Sequence, residues 1–388
     1  MLLYMAKFKH TDIRLIHPTF TDRLTDLVIE LDHLRRKTLG GTTHPHVFFQ
    51  LKSIFQTLES IGSARIEGNN TTISEFIETK LEEREFINEQ IQEIRNIEES
   101  INFIDEGNNI LLGRAFISDL HKMIVKNLAP PPIGEGDKTP GLYRNHSVEI
   151  KGAFHKPPES QQQIESYMQE LFSFLNEAHP PKYDLLKVAL AHHRFMWIHP
   201  FDNGNGRVGR LFTYFLLVKA GFHVNVGRIL NPTAIFCNSR DEYYRFLSEA
   251  DTGTDEGLIN WCTYVLDGLK TEIDKIDMLT DYSYLTDHIL LPTLEYSKNM
   301  KYIDNKEYKI LKVTIEKQVV QNSDIHDVLK VNHMTSISRY IKQLKDKKML
   351  VSEPDNSRKY HINFTNNFLI RGIIYNLELE GFIPMKID

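Results

Sequence analysis

From Asp22 to Ile276 the chain keeps returning to one pattern, apolar residues three and four apart with charged residues opposite. It runs through "DRLTDLVIELDHLRRKTL", "FFQLKSIFQTLESIGSARIE", "EQIQEIRNIEESINFID" and "ISDLHKMIVKNL". It resumes in "QQQIESYMQELFSFLNEA", "YDLLKVALAHHRFMWI", "RVGRLFTYFLLVKAG", "SRDEYYRFLSEA" and "EGLINWCTYVLDGLKTEIDKI". Such spacing gathers the apolar side chains of each run on one helical stripe, which has to bury against other helices. The expectation is a mainly α fold. The break falls at "APPPIGEGDKTPGLYRNHSVEIKGAFHKPPES", residues 129–160, where prolines and glycines bracket two short alternating runs. That composition predicts a loop carrying one small β-hairpin.

The C-terminal stretch reads differently. "NKEYKILKVTIEK", "SDIHDVLKVN" and "HMTSISRYIKQLKDKKML" are three short helical patterns, followed by the strand-turn-strand string "LVSEPDNSRKYHINF", with Pro354, Asp355 and Asn356 in its turn. This order predicts a winged helix-turn-helix. Its third helix sets Arg339, Lys342, Lys345, Lys347 and Lys348 against Asp346. Such a helix suits a DNA major groove, with Arg358 and Lys359 on phosphate, and equally a solvated face that docks protein. The expected division is an N-terminal helical region at 1–110, a core at 111–270, a connecting helix at 271–300 and the winged helix at 301–388.

Composition narrows the class. A chain of 388 residues with 41% hydrophobic content has room for two or three globular domains. Its net charge of −6 removes any general argument for nucleic-acid or membrane affinity and leaves only local basic patches. Two cysteines, Cys237 and Cys262, make neither a disulfide scaffold nor a metal motif, so a reducing compartment is expected. "MLLYMAKFKHTD" is too short for a signal-peptide core, and no apolar run approaches the ~20 residues that span a bilayer. These features predict a cytoplasmic protein with no membrane partner.

The chemistry concentrates in "HPFDNGNGRVGR", His199 to Arg210. A helical pattern ends at Ile198, the glycines force a turn, and a helix restarts near Arg207. Glycines at a helix start let successive N–H groups converge into an anion-binding nest, and phosphate suits it. Arg207 and Arg210 in the first turn oppose the helix dipole, so they call for a negative partner. No Lys-Ser/Thr follows the glycines, which excludes a Walker A loop. His199, at the preceding helix end, is placed as a general base for an attacking hydroxyl. His192 and His193 lie inside the apolar pattern and read as core or supporting residues.

His199-Pro200-Phe201-x-x-Gly204-Asn205-Gly206-Arg207-x-x-Arg210 resembles the signature of the Fic family, enzymes that move AMP from ATP onto a protein hydroxyl. The resemblance implies a helical Fic core with a β-hairpin flap over the site, and His199 as the base that deprotonates the target side chain. It implies a nucleotide held by residues 203–210, that is Asn203, Gly204, Asn205, Gly206, Arg207, Val208, Gly209 and Arg210. Arg210 would take the γ-phosphate, and Phe201 would anchor the loop. Val148, Ala153, Phe154 and His155 fall on the implied flap, which aligns the target peptide. Asn238, Tyr243 and Tyr244 fall on the implied adenine-side helix. At Asn203 the family commonly carries the carboxylate that holds magnesium. A neutral amide is a poor ligand for so hard a cation, so metal affinity should be weakened.

"SARIEGNN" closes the run that begins at Phe48, which puts Glu67 at the negative end of a helix dipole, where it wants a cation. Ser63-x-x-x-Glu67-Gly68 resembles the family's inhibitory motif, and the resemblance implies a Glu67–Arg210 salt bridge that keeps the γ-phosphate of ATP out. The implied activity is an autoinhibited protein adenylyltransferase acting on Ser, Thr or Tyr of a target protein or of itself, as a homodimer by family habit. Two alternatives stay open: removal of AMP by the same site, and a DNA-binding regulator whose helical core senses nucleotide without chemistry.

Overall fold

The computed structural model describes residues 8–36, 41–82, 88–107, 110–150, 153, 155–222, 232–329, 334–353 and 356–383. The chain is mainly α, with a single two-stranded sheet among the described residues. It divides into two compact units. The first comprises residues 1–38, 59–71 and 86–273, and the second residues 39–58, 72–85 and 274–388. This differs from the four consecutive segments expected from sequence. The helix Pro45–Ile66 contributes residues to both units, and the last segment of the second unit begins at residue 274, where the sequence places a boundary near 300. Sequence periodicity marks helices, whereas unit membership follows which stripe each helix buries.

The first unit holds α1 (Arg23–Arg36), the C-terminal part of α2 (Pro45–Ile66), and, after α3 (Ile73–Leu81) of the second unit, α4 (Glu89–Glu106) and α5 (Arg114–Ile124). It continues with α6 (Gln161–Asn176), α7 (Asp184–Ile198), α8 (Asn205–Lys219), α9 (Pro232–Cys237), α10 (Arg240–Ala250) and most of α11 (Asp255–Asp277). Local chemistry sets several starts. Asn88 caps α4, and Ser160 with Gln163 forms a capping box on α6, each satisfying a first-turn N–H that has no partner inside the helix. At the centre, α7 is buried on nearly all sides and packs against α6 and α8, while α4 and α5 cover α8. A helix apolar all round belongs in a core. It therefore gives a rigid platform for whatever follows its last residue.

In the second unit, α12 (Tyr282–Leu285) and α13 (Leu291–Asn299) lead to α14 (Asn305–Lys317), which opens on an Asp304/Glu307 capping box. Then come α15 (Asn322–Leu329), α16 (Met334–Asp346), β1 (Leu350–Glu353), β2 (Asn356–Ile362) and α17 (Ile370–Leu379). The strands are antiparallel, pairing Leu350 with Ile362 and Ser352 with Tyr360, and the register shifts between Ser352 and Glu353. Val320 adds an isolated bridge to Tyr360. Three helices followed by a hairpin is the order the sequence predicts. Pro354 and Asp355, expected in the hairpin turn, lie outside the described residues.

Of the segment expected as a flap, residues 148–150 and Ala153 carry no strand, and His155 stands in an isolated β-bridge. The Ala153 N–H donates to the Ile150 carbonyl at 3.1 Å. Phe154 lies outside the described residues. No described helix is long and apolar enough to cross a membrane.

Candidate functional site

Buried α7 ends on His199, whose backbone adopts φ +52°, a left-handed conformation uncommon for a side chain with a Cβ. Pro200 follows and cannot extend the helix. The last carbonyls of α7 go to Arg144, itself almost fully buried. Its Nε donates to the His199 carbonyl at 2.7 Å, and its Nη2 donates to Ile198 at 3.2 Å and Pro158 at 2.7 Å. A cation on the C-terminal carbonyls complements the helix dipole and fixes where His199 points. Burial pushes the His199 imidazole down to about 4, and the Arg144 guanidinium adds to the effect. The ring is therefore neutral at physiological pH, with its Nδ1 buried and the Met196 backbone beside it. A neutral imidazole at the mouth of a helix start can accept a proton.

The turn from Phe201 to Gly204 is locked from several sides. The Phe201 N–H donates to Asn205 Oδ1 at 2.9 Å, and Asn205 Nδ2 returns a bond to the Phe201 carbonyl at 2.8 Å. The buried Phe201 ring stacks face to face on His121, with centroids 3.8 Å apart. His121 accepts from the Gly141 N–H at Nδ1, so its Nε2 carries the proton and donates to the Asn203 carbonyl at 3.0 Å. Gly204 has φ +80°, and a Cβ there would meet Ile124 Cδ1 at 2.5 Å, so only glycine fits. The result is a helix start whose first-turn amides, at Asn205, Gly206 and Arg207, have no acceptor within α8.

That start already faces an anion belonging to the protein. Glu67, just beyond the last residue of α2, lies 2.7 Å from Arg210 Nη2, and a Cβ added at Gly206 would lie 2.0 Å from Glu67 Oε1. Arg210, only 2% exposed, also donates from Nε to Ser63 Oγ and from Nη2 to the Ser63 carbonyl, both at 2.9 Å. Burial works against ionising Glu67, but Arg210 and Arg207 outweigh it and hold its carboxyl below the usual range. Arg207, fully buried, pairs with Glu93 at 2.8 Å and donates to the Glu135 carbonyl at 2.8 Å. Its Nε has no hydrogen-bond partner among the described residues. A guanidinium with idle donors beside a carboxylate seated on a helix N-terminus describes a cradle built for an anion.

The other sequence-predicted residues land variously. Asn203 Oδ1 accepts from the Gly204 N–H at 2.8 Å, and its Nδ2 donates to Glu135 Oε2 at 3.1 Å. Its one amide oxygen thus shapes the turn. Asn205 likewise spends its side chain on Phe201, which leaves its backbone as the part able to meet a ligand. Val208 is buried, with its N–H on the Gly204 carbonyl, and Gly209 packs against Phe195 and Met196. Gly209 thus faces α7 and not the nest. Tyr243, expected beside adenine, is a core residue whose hydroxyl meets His192 at 2.9 Å, whereas Tyr244 is exposed and receives a bond from Arg240. Asn238 opens onto a cleft of about 670 Å³ with Glu242, Phe246 and Tyr264, which none of residues 199–210 lines. His155, expected on the flap, is buried against Trp197 and bonds its carbonyl at 2.9 Å, so it anchors the loop. Val148 and Ala153 are half-buried. His193 meets Asp251 at 2.9 Å.

Sequence reasoning missed Arg144, His121, Glu93, Glu135 and Glu59. Glu59 lies two turns before Glu67 on α2 and accepts from the Thr233 N–H at 3.1 Å, tying the helix to the start of α9. Burial pushes its carboxyl up to about 8. None of the five stands in a motif, and each acts through a partner distant in sequence.

Residues 111–217 match the Fic/DOC family. The chain is 26% identical over 201 residues to the protein adenylyltransferase Fic of Nematostella vectensis, covering 49% of this chain and 42% of that one. It is 29% identical over 204 residues to that of Drosophila mojavensis, covering 49% and 36%. The match thus spans about two fifths of the length of these curated relatives. Among solved structures, a Fic family protein from Desulfovibrio desulfuricans G20 aligns over 91% of this chain and 98% of its own, with TM-score 0.53 and 16% identity. A Fic domain containing signaling protein from Bacteroides thetaiotaomicron aligns over 66% and 97%, with TM-score 0.51 and 17% identity. The fold is therefore of the Fic kind.

Proposed function

Starting from a chain that carries a Fic/DOC domain at residues 111–217, we propose that it is a protein adenylyltransferase held back by its own Glu67. The curated relatives carry the name protein adenylyltransferase Fic. The observation that carries the reading is the Glu67 carboxylate on Arg210 and over Gly206, where a nucleotide phosphate would sit.

In this reading the hydroxyl of a Ser, Thr or Tyr on a target protein, or on the chain itself, attacks the α-phosphorus of ATP. His199 takes the hydroxyl proton, the new O–P bond forms, the bond from the α-phosphorus to the bridging oxygen breaks, and pyrophosphate leaves. The free first-turn amides and Arg207 stabilise the charge on the phosphates. Arg210 becomes available to the γ-phosphate only when Glu67 leaves it. The family resemblance implies magnesium, yet the chain's own donors fit it poorly. Asn203 Oδ1 is committed to Gly204, and among the described residues no cluster of three His, Cys, Asp or Glu can hold an ion. No step above is routed through a metal.

Intact-mass measurement of wild type and Glu67→Gly after incubation with ATP and a panel of acceptor proteins tests the proposal. An added adenylyl group in the variant, absent when His199→Ala is also present, is the expected result. No mass gain on any protein in the variant, despite bound ATP, would refute transfer.

A further inference from the structure

The C-terminal part of the second unit plays no role in the chemistry above, yet its charge is out of keeping with the chain. Residues 301–362 hold 13 Lys and Arg against 8 Asp and Glu, in a protein whose net charge is −6. The structure separates the basic residues into spent and free. Lys317 pairs with Asp324 at 2.6 Å and Lys347 with Glu307 at 2.5 Å. Lys345 donates to Ser352 Oγ at 2.9 Å and lies over the Tyr360 ring, which fastens α16 to the hairpin. Arg339, Lys342, Arg358 and Lys359 are exposed, and among the described residues none of the four enters an ion pair.

Their placement is ordered. Ile337, Ile341 and Leu344 form the buried stripe of α16, so Ser338, Arg339, Lys342 and Gln343 stand on its exposed side. Arg339 and Lys342 are three apart and share that side. Arg358 and Lys359 are the third and fourth residues of β2, in the hairpin that Lys345 holds against α16. A helix with cations and polar hydrogen-bonding side chains outward, third of three and followed by a basic hairpin, is built to lie along a polyanion that admits a helix. We propose that this face of the second unit binds duplex DNA, with the exposed side of α16 in the major groove and Arg358 and Lys359 on the flanking phosphates. The inference stands apart from the transfer reaction and rests on none of its residues.

Four phosphate contacts give a slope of log affinity against log salt of about −3.6, or roughly a 150-fold loss between 50 and 200 mM salt. The test is fluorescence anisotropy of the full chain with a labelled duplex of about 25 base pairs, at several salt concentrations. Arg339→Glu with Lys342→Glu should remove at least two contacts, flattening the slope by about 1.8 and weakening binding at low salt. Lys347→Ala, which touches a residue already paired with Glu307, should bind as wild type. All substituted positions except Lys347 make no ion pair, so melting temperatures close to wild type are expected and are checked alongside. Three results would each overturn the proposal: no duplex binding at 50 mM salt, an equal loss in Lys347→Ala, or equal affinity for heparin and duplex.

Discussion

Removing the Glu67 carboxylate is the perturbation that bears most directly on the site. In the resting protein Arg210 is 2% exposed and its charge is met by one carboxylate 2.7 Å away. Taking away one partner of a buried pair costs about 3–5 kcal/mol, and because the Glu67 side chain is 28% exposed a value below that range, roughly 2–3 kcal/mol, is appropriate here. In the proposed function the same interaction is what an incoming γ-phosphate must displace. Glu67→Gly should therefore destabilise the free protein by that amount and tighten ATP binding by about 30- to 100-fold, at 1.4 kcal/mol per decade. Glu67→Gln keeps the bulk over Gly206 and removes only the charge, so its gain should be smaller. Calorimetry with a non-hydrolysable ATP analogue reads the affinities, and thermal melting with and without nucleotide reads the stability. A free variant as stable as wild type with an unchanged nucleotide Kd would show that the carboxylate neither supports Arg210 nor blocks the cradle.

Further outcomes follow from the same geometry. His199→Ala should abolish transfer in the Glu67→Gly background while leaving nucleotide affinity within about twofold, as read by calorimetry. Because burial holds the His199 pKa at about 4, the base is neutral above that value. The rate of Glu67→Gly should then show no histidine-like fall between pH 8 and 5.5 and should drop only as pH descends toward 4; a midpoint near 6.5 contradicts this. Arg144→Ala leaves the last carbonyls of α7 without their donor and should cost about 2–4 kcal/mol in denaturant unfolding, with Arg144→Lys only partly restoring it. Gly206→Ala puts a methyl into Glu67 Oε1, so its destabilisation should shrink markedly when combined with Glu67→Gly, a non-additivity read from a double-mutant cycle. Asn203→Asp should make ATP binding about tenfold more responsive to magnesium than wild type, measured with and without chelator.

The sequence by itself determined most of the helices and the turn from His199 to Arg210, because each is set by neighbours within a few residues. Periodicity writes α7 as buried, and Gly204 is the residue that a left-handed turn against Ile124 requires. The resemblance of Ser63-x-x-x-Glu67-Gly68 to the Fic inhibitory motif implied the pairing of Glu67 with Arg210, 143 residues apart. Tertiary structure alone decided the rest. Arg144 and His121 look ordinary in sequence, and their roles exist only because folding brings them to carbonyls of residues 198, 199 and 203. Tyr243 and Tyr244 are adjacent and alike, yet one is sealed in the core and the other exposed, because successive helical residues point about 100° apart and packing chooses which side is inside. The division of α2 between two units, and the sorting of the basic residues near the C-terminus into paired and free, also depend on contacts that no local pattern encodes.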